Sequence, residues 1–134
     1  MSDERRTSPV RNGGKPSPSD LKDRTREFAL AVIRLYAALP KTPVEQTIGK
    51  QLLRSSTSVG AQYREGHRAR STAEFISKLE GALQELEETR YWLELLESAA
   101  RPAPSSLPIL IGETDELIAI FVTSVKTAKA RLRP

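Results

Sequence analysis

The stretch RSSTSVGAQYREGHRARS, Arg54 to Ser71, decides how the chain is read. It holds the only histidine, four arginines and a run of small residues. Placed on a helical wheel at about 100° per residue, it resolves into two faces. Ile48, Leu52, Ser55, Val59, Tyr63 and Gly66 gather on one side, and Lys50, Arg54, Thr57, Ala61, Arg64 and Arg68 on the other. That division is an amphipathic helix. Its inner face is thin, because Ser55, Ser56, Ser58 and Gly60 stand where large aliphatics would. A thin face lets a neighbouring helix approach closely, so the serines are read as packing residues whose hydroxyls bond back to their own helix.

Three more helical segments flank this one. Phe28, Val32, Leu35 and Leu39, with Tyr36 beside them, predict a first helix from about Asp20 to Leu39. The "PKTP" at Pro40–Pro43 ends it and opens the second, Val44 to Gly66, since proline suits a first turn but not an interior. "STAE" from Ser71 is a capping box for the third, which runs to about Ala99. Phe75, Leu79, Leu83, Leu86 and Leu93 read as its core face, with Glu80, Glu87 and Glu94 along one flank. After the proline-rich "RPAPSS", Leu110, Thr114, Leu117, Phe121, Val125, Ala128 and Leu132 predict a fourth helix over 107–132. No segment alternates as a strand does. The expected fold is all-α: an antiparallel up-down-up-down four-helix bundle over 19–134, preceded by a disordered basic tail over 1–18. The tail is either a plain leader or an arm that touches nucleic acid.

Near the end of the third helix, Tyr91, Trp92, Leu95 and Leu96 extend apolar surface beyond the core face. A helix apolar nearly all round is covered on more than one side. A subunit interface anchored on Tyr91 and Trp92 is expected, a contact with helix one or the "RPAPSS" loop being the alternative. The Lys50, Arg54, Arg64, Arg68 row also has two readings: a solvated outer face, or a line of phosphate contacts on RNA or DNA.

Composition bounds the rest. The 134 residues suit one domain, 38% hydrophobic and 28% charged, with a net charge of +4 and no cysteine. Disulfides and zinc–thiolate sites are thereby excluded. No apolar run approaches a membrane span and the N-terminal stretch lacks the apolar core of a secretory signal, so a cytoplasmic location and no membrane partner are expected. The carboxylates of "QELEE" have no E-x-x-H partners, His67 has nothing to orient it, and no G-x-x-x-x-G-K loop is present. No catalytic residue, metal site or cofactor is therefore expected. A ligand-binding bundle would need a large enclosed apolar pocket.

Over about Phe28 to Lys129 the chain resembles the four-helix bundle proteins related to 23S rRNA intervening-sequence proteins, a family that includes the accessory variability proteins of diversity-generating retroelements. The resemblance rests on Arg54, Ser55, Ser58, Val59, Ala61 and Glu65; on Ser71, Phe75, Ile76, Lys78 and Leu79; and on Glu85, Glu88, Thr89, Tyr91, Trp92 and Leu93. It implies a homo-oligomeric ring, commonly a pentamer, and retroelement members act as basic adaptors for a reverse transcriptase and nucleic acid. It also implies a structural polar cluster, here Gln62, Glu65, Lys78 and Glu85. Gln62 stands where the family usually has asparagine, one methylene shorter.

Overall fold

The computed structural model describes residues 18–133 and contains four helices: α1 (Pro18–Ala38), α2 (Pro43–His67), α3 (Thr72–Ala99) and α4 (Leu107–Arg131). The expected tail, apart from Pro18, lies outside the described residues. Consecutive helices pack side by side, and α1 closes weakly against α4. The architecture is an up-down bundle, as the sequence predicts.

The helix ends follow local chemistry. Pro43 starts α2, and the Thr42 hydroxyl donates to the Glu45 carboxylate. Ser71 caps α3 by accepting from the Glu74 N–H at 3.1 Å. The Glu74 carboxylate reaches back one residue further than a capping box requires and accepts from the Arg70 N–H at 3.1 Å. Glu74 thus ties down the turn as well as the cap.

The core is a row of stripes. Leu21, Thr25, Phe28, Val32, Leu35 and Leu39 bury from α1, and Leu107, Leu110, Thr114, Leu117, Phe121, Val125 and Ala128 from α4. Leu132, assigned to that stripe from its spacing, lies past the helix and is exposed. On α3 the buried stripe is Ile76, Leu79, Ala82, Leu86, Thr89, Leu93 and Leu96. Phe75 and Leu83 are half-buried on its flank instead of at its centre. The stripe turns towards α2 because α2 offers the thin face.

α2 and α3 make the most extensive contact in the bundle. At its middle the Ser55 and Thr89 hydroxyls lie 2.8 Å apart, both fully buried. Thr89 also donates to the Glu85 carbonyl at 2.7 Å, and Ser55 lies 3.3 Å from the Leu52 carbonyl. Buried hydroxyls are costly only without partners, and these have them. Ser58 and Thr57 bond back to their own helix in the same way at 2.8 Å.

Two glycines serve this contact differently. A Cβ on Gly66 would come within 2.9 Å of Leu79 Cδ1, in the packed core, and 3.1 Å of Lys78 Cβ, which the α3 backbone holds in place. A Cβ on Gly81 would run only into Gln62 Oε1, the free end of a flexible amide. Alanine gains about 1 kcal/mol over glycine inside a helix. Gly81→Ala is therefore expected to be neutral or stabilising by up to about 1 kcal/mol, and Gly66→Ala destabilising by roughly 1 kcal/mol or more. Thermal midpoints of the two variants, compared at one protein concentration, should fall on opposite sides of the parent or separate clearly.

Among the described residues no helix is long and apolar enough to cross a membrane. A groove of about 550 Å³ runs between α1 and the α3–α4 connection, lined by Ala31, Leu35, Ala38, Pro102 and Ile109 among others, and it is open to solvent. It is not the enclosed pocket that a ligand-binding bundle requires.

Candidate nucleic-acid interface

Lys50, Arg54, Thr57, Ala61, Arg64 and Arg68 all emerge on the exposed face of α2, as the wheel predicts. The first and last are 18 positions apart, about 27 Å along the helix axis. Arg54 differs from its neighbours. The register between α2 and α3 sets it opposite Glu88, with which it forms an ion pair, and 3.4 Å from Glu85 Oε1. Its charge is therefore balanced within the chain. Lys50, Arg64 and Arg68 have no carboxylate partner among the described residues. The row is discontinuous in charge, strong at the α2 C-terminus and weak at its centre.

The polar cluster implied by the resemblance divides in two. Lys78 Nζ pairs with Glu65 at 2.9 Å, and that hydrogen bond, with the carboxylate's charge, raises the Lys78 ammonium above its ordinary pKa. Gln62 rests its amide over the Cα of Gly81. Glu85, however, lies two turns further along α3, about 10 Å from Lys78, and turns to Arg54. It is not a member of a cluster with Lys78. The longer glutamine fits at position 62 because Gly81 offers no Cβ opposite.

Arg24 on α1 holds Glu113 at 2.7 Å and Glu116 at 2.6 Å on α4, across the side of the bundle with least helix contact. The Glu113 hydrogen bond pushes the Arg24 guanidinium further into its charged form. Arg90 on α3 bonds Asp115 on α4 at 2.7 Å and also pairs with Glu94. His67 is exposed, its ring stacked on Tyr63 at 6.2 Å with a 14° interplanar angle. Among the described residues no three His, Asp or Glu side chains converge as a metal site needs.

The family model for the 23S rRNA-intervening sequence protein matches residues 19–122, all but the last turns of the bundle. The chain belongs to that family. A crystal structure of a protein of unknown function from the S23 ribosomal protein family of Bacteroides thetaiotaomicron VPI-5482 is similar to it, with 37% identity and a TM-score of 0.74. The similarity covers 81% of this chain and 97% of the other. No protein with a curated description matches.

In this family member the residues expected at a subunit interface do not act as one set. Tyr91 is 52% exposed, with its ring edge-on to Trp92 at 5.0 Å. Trp92 and Leu95 are half-buried. Leu96 is fully buried in the core of its own bundle and cannot meet another subunit. It follows Leu93 by three residues and Thr89 by seven, on the stripe facing inward. The single bundle thus covers more of the α3 C-terminal surface than the wheel suggested. The Trp92 indole N–H remains buried without a hydrogen-bond partner among the described residues. A buried donor left in that state costs about 1–3 kcal/mol.

Proposed function

We propose that this protein is a non-enzymatic homo-oligomeric adaptor, a pentamer in its favoured form, that binds nucleic acid through the exposed α2 row, with a reverse transcriptase as the protein partner that the resemblance implies. The observation that carries nucleic-acid binding is the exposure of Lys50, Arg64 and Arg68 with no carboxylate to neutralise them among the described residues. Assembly is supported by exposed Tyr91, whose ring lies edge-on to half-buried Trp92.

The competing reading is a scaffold with no nucleic-acid role. The neutralisation of Arg54 by Glu85 and Glu88 favours it, because that residue spends its charge on holding α2 to α3. The two readings separate in one experiment. Labelled RNA is titrated at several salt concentrations against the parent and a Lys50→Ala/Arg64→Ala/Arg68→Ala variant, with solution mass measured in parallel. The adaptor reading expects the variant to bind roughly tenfold or more weakly, with a salt slope flatter by about 2–3 and unchanged mass. An oligomer that binds no RNA establishes the scaffold, and a monomer refutes the assembly part of both.

A further inference from the structure

Charge is segregated along the bundle axis as well as around α2. The end formed by the α2–α3 turn also receives the C-terminus of α4 and the N-terminus of α1. The packing fixes this arrangement: Gly66 abuts Leu79, Lys78 holds Glu65, and Lys129 holds Glu80 at 2.9 Å. Thr25 lies against Gly60 on the other side. This half, residues 18–28, 57–84 and 121–133, carries eleven basic and six acidic side chains. The opposite half, residues 29–56 and 85–120, carries six basic and nine acidic ones.

Arg24 of this half is bound by Glu113 and Glu116 of the other, but the remaining pairs sharpen the contrast. At the basic end Glu65 and Glu80 are already bound to lysines, Glu27 pairs with Arg26, and Glu74 caps the turn. Asp20 and Asp23 belong to the same end, on the first turns of α1. Arg64, Arg68, Arg70, Lys126, Arg131 and Arg133 are exposed and have no carboxylate partner among the described residues. Helix dipoles explain only part of this. α2 and α4 both end here, and cations in a last turn offset the dipole, but that effect is spent within one turn. Arg68, Arg70 and Arg133 lie beyond the helices, and Lys126 lies more than a turn before the end of α4.

We infer that this end is the docking face for a double-helical nucleic acid, recognised through its phosphates. The inference rests on the nucleic-acid reading above and moves the main contact from the side of α2 to the end of the bundle. Four helices spaced 8–10 Å apart present a face about 20 Å across. A duplex carries one charge per about 1.7 Å, so roughly a dozen charges cross that face, against half as many on a single strand. Single strands compensate by stacking bases on exposed aromatics. The face offers little for that: Tyr63 and Phe121 are buried, Phe75 is half-buried, and His67 has one ring face occupied by Tyr63.

The test uses a Lys126→Ala/Arg131→Ala/Arg133→Ala variant of the full chain, whose residues are absent from the α2 row, and follows folding by thermal midpoint. A labelled RNA duplex, its single strand and a DNA duplex are titrated across salt concentrations. The parent should prefer duplexes, and the variant should bind them roughly tenfold or more weakly with a salt slope lower by about 2–3. If this variant binds as the parent does while Lys50→Ala/Arg64→Ala/Arg68→Ala loses binding, the end face is refuted and the α2 row stands. A parent that prefers the single strand also overturns the inference. A parent that binds none of the three removes both readings.

Discussion

Replacing Phe121 with alanine is expected to destabilise the bundle by about 3–5 kcal/mol. The ring is 1% exposed and sits midway along the buried stripe of α4. It meets Tyr63 of α2 at a centroid distance of 5.8 Å and a tilt of 59°, a favourable edge-on geometry for two aromatics. α2 and α4 are diagonal partners that make no close backbone contact, so this pair is what spans the middle of the bundle there. Truncation removes the ring's burial and leaves a cavity that four rigid helices cannot close, and both terms add. For a domain of this size the thermal midpoint should fall by on the order of 10–20 °C. Phe121→Leu keeps much of the volume and should cost less than half as much. Both midpoints are read by circular dichroism at one concentration, because assembly makes the midpoint concentration-dependent. A loss below about 1 kcal/mol for the alanine variant would contradict the central position given to this ring.

That position was legible from spacing alone, as were the four helices and their ends. Prolines and caps act locally, so Pro40, Pro43, Ser71 and the "RPAPSS" break marked the boundaries to within a few residues. The α3 core was less legible. Ala82 and Thr89 bury because α2 comes close to them, not because they are greasy, whereas the larger Phe75 and Leu83 are left on the flank. Leu96 was assigned to an outer surface because apolar residues cover more than half the wheel at the end of α3, and hydropathy there does not say which side faces in. At the candidate site, exposure of the basic row follows from one helix and could be read. The loss of Arg54 to Glu85 and Glu88 depends on the register of two helices, and the basic end unites residues more than fifty positions apart. Neither has a local signal.

Ser55→Leu is the sharpest test of the close α2–α3 contact, and it is expected to cost about 2–4 kcal/mol. Ser55 is fully buried, its Oγ 2.8 Å from the Thr89 hydroxyl, in the stretch where small residues bring the two helices together. A leucine needs room for about two more heavy atoms in an interior packed as densely as a molecular crystal. It must push α3 outward or adopt a strained rotamer, at about 1–3 kcal/mol. It also removes one partner of the hydroxyl pair, though Thr89 keeps its bond to the Glu85 carbonyl, so that loss adds only about 1 kcal/mol. Moving α3 outward has a further consequence at the surface. Glu85 and Glu88 would withdraw from Arg54, freeing its guanidinium on the α2 row. Ser55→Ala removes the hydroxyl without adding bulk and should cost about 1 kcal/mol. The difference between the two variants therefore isolates crowding from hydrogen bonding. If leucine is tolerated as well as alanine, the helices are not held apart by the size of residue 55, and the thin face has another cause.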